Sequence, residues 1–478
     1  MTSLATIGRN AVFSAGGDLI SKIASLGFYV VMARELGRTG FGHYMFALSL
    51  TVLLTSLAGF GTDALLTRSV ARDREALHDL FFNSVGLKVV LGVGLGAAAV
   101  GVSAANGYGA AVQLTTAILG VAAISDQVIK TFAATFLAYD DVRPSAAGMI
   151  LQRFVTAAAG IAALVAGAGI VPVAVIYLGG SLLALAYVSR ALIRREIRPR
   201  RELSVARARA VAKESVPFGL KLIFSTAIFR IDSTILSLIK GGAAVGLYSA
   251  AYRALESTLF VVYGLEAALF PTFSRLRRDS EPPVGSIYAV ALKAVLALMT
   301  PVGLVFLLYA GPILRLLYGH DFGAAATAME WLGGAAALYG VSFISSSLAV
   351  AQGAARQVAW ATGLIMIENV VLNVIVIPHF SLNGAAAVTT ITEITQALVL
   401  GALALRFTGA IPAMRIVAAP LIGSAAMVAV GLAAPRTVPL VAAALAAYVL
   451  AAIATERALY PADLARLVGG LRHRLAHD

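Results

Sequence analysis

Apolar stretches of roughly 20 residues, each long enough to cross a ~30 Å hydrocarbon layer as a helix, recur from one end of this chain to the other. They predict about fourteen transmembrane helices. These lie near 11–33, 43–66, 83–105, 112–136, 145–167, 171–192, 214–239, 246–272, 286–309, 326–350, 358–378, 384–405, 415–432 and 438–455. The last pair is the most compressed, because 415–455 is short for two full crossings and contains Pro420, Pro435 and Pro439. Only 13% of the 478 residues are charged, about half the fraction usual in a soluble globular protein. The fold class is therefore all-α, a polytopic membrane protein, and a soluble enzyme is excluded.

Several chemistries drop out with it. There are no cysteines, which removes disulfides, thiolate nucleophiles and Cys-ligated metals. The six histidines are scattered, and only His473 and His477 share i,i+4 spacing, in a basic tail. Neither an HExxH pair nor a Walker A loop is present, and Gly92-Val93-Gly94-Leu95-Gly96 lies in an apolar segment where small residues serve helix packing. No catalytic residue, metal or cofactor is predicted. Connections between fourteen spans leave no room for a soluble domain. The longest outer loop, around 310–325, offers Arg315, His320 and Asp321, which speaks against a membrane glycosyltransferase or polymerase. Asp18 and Lys22 interrupt the first apolar stretch, which reads as a retained first span and not a signal peptide.

The basic residues orient the spans. With Met1 cytoplasmic, 24 of the 37 fall in inner segments and 5 in outer ones, the other 8 lying inside spans. This is the positive-inside pattern, and it puts both termini in the cytoplasm. The net charge of +13 is then mostly topological. The cluster from Arg194 to Lys213 reads as a connector near anionic headgroups and not as a nucleic-acid patch. The segment after Pro461 reads as an interfacial helix carrying Leu464, Leu467, Val468, Leu471 and Leu475 on one face.

An internal repeat organises the chain. Shifted by 204 residues, Gly42-His43-Tyr44 with Ala47 meets Gly246-Leu247-Tyr248 with Ala251, and both following helices end in arginines, at Arg68, Arg72, Arg74 and at Arg275, Arg277, Arg278. Six intervening helices preserve orientation, so the copies are parallel repeats about an axis along the membrane normal. The predicted organisation is an N-terminal six-helix lobe (1–200), a basic connector (201–213), a C-terminal six-helix lobe (214–410), an extra helix pair (411–455) and an amphipathic cytoplasmic tail (456–478). Two lobes about a midplane site are the architecture of an alternating-access transporter.

Ionisable groups inside the spans are costly and usually face a bundle interior or a watery cavity. By depth, at 1.5 Å per residue, Lys88, Lys130, Arg153 and Lys293 sit near the inner ends of their helices and are expected to snorkel to the interface. Lys22, Arg230 and Arg253 lie deeper, with Lys221 at the border, and the arginine fork fits phosphate oxygens. Asp18 with Lys22, Asp126 with Lys130, and Arg253 with Glu256 have spacings that permit pairing within one helix. Arg230 and Asp232 point apart. Asp18, Asp63, Asp232, Glu256 and Glu266 are the candidate ion-coupling or cavity carboxylates. Glu368 and Glu393, like Glu266, have no partner nearby in sequence and read as polar contacts between helices or as ion sites.

Ala33-Arg34-Glu35-Leu36-Gly37, Phe41-Gly42-His43-Tyr44 and Gly59-Phe60-Gly61-Thr62-Asp63 resemble the start of the polysaccharide (O-antigen type) flippases. These belong to the multidrug/oligosaccharidyl-lipid/polysaccharide exporter superfamily. Pro217-Phe218-Gly219, Arg230-Ile231-Asp232, Val245 to Arg253 and Phe270-Pro271-Thr272-Phe273 are similar to that family's second half, and Leu317-Tyr318-Gly319 and Asn383-Gly384-Ala385-Ala386 to its later landmarks. The resemblance implies a bacterial inner-membrane protein with a cationic cavity lined by the first, second, seventh and eighth helices. Lys22, Lys221, Arg230 and Arg253 inherit the role of diphosphate or acidic-sugar contacts. It implies translocation of an undecaprenyl-diphosphate-linked oligosaccharide to the periplasmic leaflet for surface polysaccharide synthesis, without covalent chemistry. The implied partners are that lipid-linked substrate, membrane lipid, and a polymerase and glycosyltransferases of the same route. Two alternatives stand beside it, a cation-coupled drug exporter and a peptidoglycan-precursor flippase. The second is disfavoured because the second span carries no basic residue, and the first because such exporters usually stop near twelve helices.

Overall fold

A computed structural model of the chain describes residues 4–200, 202–277, 279–433 and 437–460, apart from the side chains of 4–23, 217, 218, 221 and 438. The first half contains α1 (Leu4–Gly59), α2 (Thr62–Arg72), α3 (Ala76–Ala105), α4 (Ala110–Ala138), α5 (Arg143–Val165) and α6 (Ile170–Arg194). Then follow α7 (Val205–Lys240), α8 (Gly242–Thr258), α9 (Phe260–Arg275), α10 (Val284–Tyr318), α11 (Ala326–Ala351) and α12 (Ala355–Thr408), and finally α13 (Ala413–Ala433) and α14 (Val438–Leu459). Among the described residues, twelve helical stretches are long and apolar enough to cross a bilayer. Two of them are doubled, because the backbone leaves the helical region at Gly37 in α1 and at Ser381 in α12. Divided there, the described residues form the fourteen helical segments that the apolar pattern predicts, and the chain is a multi-pass membrane protein. Large apolar side chains such as Val90 (72% exposed) and Leu450 (69%) face outward, as a lipid-bathed surface requires.

Some boundaries depart from the sequence reading. The seventh helix begins at Val205, where the Ser204 hydroxyl accepts the Arg207 N–H at 3.4 Å, so most of the predicted connector 201–213 is helix. Serine supplies the N-cap acceptor that an apolar count does not register. The second predicted span is interrupted at Phe60 and Gly61, both left-handed, and the eighth at Leu259, between α8 and α9. In α10 the ladder yields at Tyr309, inside the turn where Pro312 withholds the N–H that Leu308 would accept. The tail from Pro461 lies outside the described residues.

The turns carry the repeat. Gly37, Gly107, Asp140, Gly167 and Glu196 adopt positive φ in the first half, and Gly241, Gly319, Gly353, Ser381 and Gly409 do so in the second. The first pair is separated by the 204 residues of the Gly-x-Tyr match, and the other four by 212 to 214. Gly37 (φ 63°, ψ 179°) and Gly241 (φ 79°, ψ 179°) share a conformation that only glycine adopts freely, and each launches a matched helix. Those helices pack on each other. A Cβ on Gly42 would strike the carbonyl of Gly242 and, at 2.7 Å, the amide of Gly246, while one on Gly246 would strike the carbonyl of Arg38. Arg38 and Gly242 are themselves 204 residues apart, so the contact is reciprocal.

The described helices group into two compact units. One runs through Phe260 and takes in Thr362–Ala385; the other comprises Val261–Ala361 and the described residues from Ala386 onward. Within the first, α1 packs on α3, α4, α5, α7 and α8, and α4 packs on α3 and α6. Gly61 is pressed against Gly219 and the Ser215 carbonyl, which ties α2 to α7. Within the second, α13 and α14 pair and dock on α10, burying Leu308, Tyr309, Met427, Ala444 and Tyr448 together. Lys293 Nζ reaches Glu456 Oε2 at 2.6 Å in the same interface, so Lys293 is held by a carboxylate where snorkelling was expected.

Candidate functional site

Within the first unit, α1 and α4 to α8 enclose a cavity of about 550 Å³. Arg230 comes from the middle of α7, and Arg253 and Glu256 from one face of α8, one turn apart. Glu256 accepts from both arginines, from Arg253 Nη1 at 2.6 Å and from Arg230 Nη2 at 3.2 Å. The Arg253 guanidinium lies 4.3 Å from the centre of the Tyr29 ring, a cation–π contact with α1. The pairing expected within α8 is therefore present, and it recruits Arg230 as well. Charge-assisted bonds of this kind fix side-chain direction, so the two forks are oriented before any ligand arrives.

The wall opposite in sequence was missed. Lys130 of α4 and Arg153 of α5 line the cavity with Asp126, where depth alone assigned both cations to the interface. The predicted Asp126–Lys130 pair does not form. Asp126 Oδ1 instead accepts from Gln152 Nε2 at 2.8 Å and Ser181 Oγ at 2.9 Å, and Oδ2 accepts from the Tyr177 hydroxyl at 3.1 Å. Three neutral donors from α5 and α6 take both carboxylate oxygens in place of the lysine. The lining thus extends beyond the first, second, seventh and eighth helices that the resemblance implied. A signal was present: Asp126 and Lys130 lie one turn apart on a helix whose apolar face is wide, so both could turn inward.

The remaining predicted positions distribute as follows. Lys22 and Asp18 of α1, and Lys221 of α7, have side chains outside those described. Asp63, in the first turn of α2, accepts Lys88 Nζ at 2.5 Å. Lys88 is fully buried and also donates to Gln127 O and Thr131 Oγ1, both at 2.8 Å. Lys88 does not snorkel: three acceptors within reach make the interior its better solvent. Asp232 is buried, accepting from the Tyr248 hydroxyl and, at 2.5 Å, from the Ser233 N–H, and so faces away from Arg230 as its two-residue offset requires. Glu266 lies half-buried on α9 in the second unit. There too, buried Glu393 accepts from Ser342 of α11 at 3.3 Å, a contact between helices. Among the described residues no cluster of three metal-binding side chains occurs.

Comparison with known proteins adds an independent strand. A family model described as polysaccharide biosynthesis protein matches residues 7–277. A probable low-salt glycan biosynthesis flippase, Agl15 of Haloferax volcanii, is 24% identical over 163 residues, 34% of each chain, so the match spans about a third of that relative. Among solved structures, the lipid II flippase MurJ in an inward closed conformation aligns with a TM-score of 0.76 at 14% identity, covering 94% of this chain and 99% of that one. An inward-facing multidrug resistance transporter of the MATE family, of the MOP superfamily, aligns at 0.66 with 17% identity, covering 85% and 98%. At these identities the structural matches establish the fold. With more than half the chain inside the family model, this multi-pass membrane protein belongs to the polysaccharide biosynthesis protein family, and it shares its fold with the MurJ and MATE-family structures.

Proposed function

We propose that the chain is a flippase that carries an undecaprenyl-diphosphate-linked oligosaccharide from the cytoplasmic to the periplasmic leaflet of a bacterial inner membrane. The observation that carries this reading is the Arg230–Glu256–Arg253 cluster on the wall of a cavity walled by membrane-length helices. Guanidinium forks match phosphate oxygens in pairs, and a diphosphate is the strongly anionic part that every such lipid carries, whatever its glycan. Glu256 holds the forks in place and yields as the diphosphate arrives. The polyprenyl tail stays in lipid, and alternation between inward and outward states moves the sugar across. No bond is made or broken, both termini lie in the cytoplasm, and polymerase and glycosyltransferases act before and after.

The peptidoglycan-precursor reading has one observation in its favour, the fold shared with MurJ over 94% of this chain. Against it stands the second span, 43–66, which carries no lysine or arginine. The deciding experiment reconstitutes the purified chain in vesicles with a fluorescent polyprenyl-diphosphate oligosaccharide and follows its arrival in the opposite leaflet. Transport by the native chain and its loss in Arg230→Ala and Arg253→Ala, with folding retained, supports the reading. Full transport by both variants removes the site, and efflux of drugs down an ion gradient without lipid transport replaces the function.

A further inference from the structure

The cavity holds four basic residues, Lys130, Arg153, Arg230 and Arg253, and two acidic ones, Asp126 and Glu256. Their local pairing is uneven. Both arginines of α7 and α8 share Glu256, so that wall already contains its counter-charge. Asp126 accepts from Gln152, Tyr177 and Ser181 and forms no ion pair with Lys130. Among the described residues neither Lys130 nor Arg153 has an ion pair or a hydrogen bond, and both line the cavity, Lys130 exposed and Arg153 half-buried.

We propose that Lys130 and Arg153 form a second anion subsite on the α4–α5 wall, separate from the Arg230–Glu256–Arg253 cluster, which takes anionic oxygens of the transported molecule. The ligand chemistry is a phosphate or a carboxylate, supplied either by the lipid diphosphate or by an acidic sugar of the glycan. Unpaired cations at membrane depth are costly and persist where function uses them. The arrangement gives the two walls different tasks. An arriving anion meets open charge at Lys130 and Arg153, whereas Arg230 and Arg253 become available only once it competes with Glu256. The bonds from Gln152, Ser181 and Tyr177 hold the Asp126 carboxylate out of an ion pair with Lys130, which leaves the lysine open to a ligand.

This inference rests on the flippase reading, and the test separates the two. Purified full-length chain in detergent is titrated, by native mass spectrometry, with undecaprenyl diphosphate in one arm and a phosphate-free glucuronate oligosaccharide in the other. The proteins compared are the native chain, Lys130→Gln/Arg153→Gln, Lys130→Arg/Arg153→Lys and Arg230→Gln/Arg253→Gln. Lost charge-assisted bonds weaken binding by roughly tenfold or more. That loss in the Lys130→Gln/Arg153→Gln chain, with recovery in the charge-keeping swap, establishes the subsite, and the arm in which it occurs names the anion's source. Should the double variant fold poorly, exposed Lys130→Gln alone carries the same expectation. Native-like affinity of the Gln variants in both arms overturns the subsite while undecaprenyl-diphosphate binding leaves the flippase reading standing. A native chain that binds neither probe overturns both.

Discussion

Arg253 and Glu256 face each other one turn apart on α8, with Nη1 of the arginine 2.6 Å from Oε2 of the glutamate. The same carboxylate reaches Arg230 of α7, so one acid sets the direction of two cations on neighbouring helices. Glu256→Gln removes the resident counter-charge and keeps the shape. Affinity for inorganic pyrophosphate is expected to rise by about tenfold, since the arginines no longer exchange one anion for another. Lipid turnover is expected to fall as release slows. Isothermal titration and vesicle transport read the two effects, and unchanged affinity would show that Glu256 does not compete with the ligand.

Lys88 and Asp63 test burial. With Lys88 at 0% side-chain exposure and Asp63 at 27%, Asp63→Asn strands a cation in the interior and is expected to cost about 3–5 kcal/mol. Lys88→Met/Asp63→Asn, which removes both charges, is expected to recover most of that loss. Thermal unfolding of the purified variants in detergent measures both.

Glycine contacts make a third test. Gly42→Ala would push a methyl into the backbone of Gly242 and Gly246, an overpacking cost of about 1–3 kcal/mol. Gly94 has nothing within 4 Å of its would-be Cβ, so Gly94→Ala should instead gain up to about 1 kcal/mol of helix propensity. Equal melting temperatures for the two variants would contradict the contact.

The α4–α5 turn makes a pH-dependent contribution to stability. Burial raises the Asp141 carboxyl, but hydrogen bonds from Arg143 and the charges of Arg195 and Arg143 outweigh it and hold the group below the usual carboxylate range. A depressed value contributes stability above the unfolded pKa of about 3.9, and the contribution is lost as pH falls through the lower folded value. Arg143 is 54% and Arg195 35% exposed, so screening keeps the effect under about 1 kcal/mol. Asp141→Asn should melt slightly below the native chain between pH 5 and 8, and the gap should narrow and close as pH falls through and below the usual carboxylate range.

Orientation is open to chemistry because the chain has no cysteine of its own. Arg198→Cys and Lys240→Cys replace exposed residues. In intact cells an impermeant maleimide is expected to label the second and spare the first, and the opposite pattern would invert the topology.

The helix count and the repeat were legible because both are one-dimensional signals. Apolar runs have lengths, and the 204-residue shift that matches Gly42 to Gly246 also matches the turns at Gly37 and Gly241. The Arg253–Glu256 pair was legible because i,i+3 spacing on one helix sufficed. Lys88 was misjudged, and the cavity lining of Lys130 and Arg153 was not foreseen, for a shared reason. Distance from a helix end says how far a side chain must reach to leave the membrane, but not which way the helix is turned. Only the neighbours decide that, and Gln152, Tyr177 and Ser181 come from helices that no local pattern ties to Asp126. The breaks at Phe60 and Leu259 escaped for a related reason, since neither interrupts the apolar run.

The reciprocity at Gly42 and Gly246 has a historical implication. Each glycine meets the residue that corresponds to the one its counterpart meets, which is how two identical subunits touch across a dyad. A half-length ancestor with this surface would have self-associated in like orientation, and gene fusion would have sealed that homodimer seam inside a single polypeptide. In such a seam the side chains can differ in charge, as Arg38 and Gly242 do, while the close backbone approach at both glycines admits no side chain on either side.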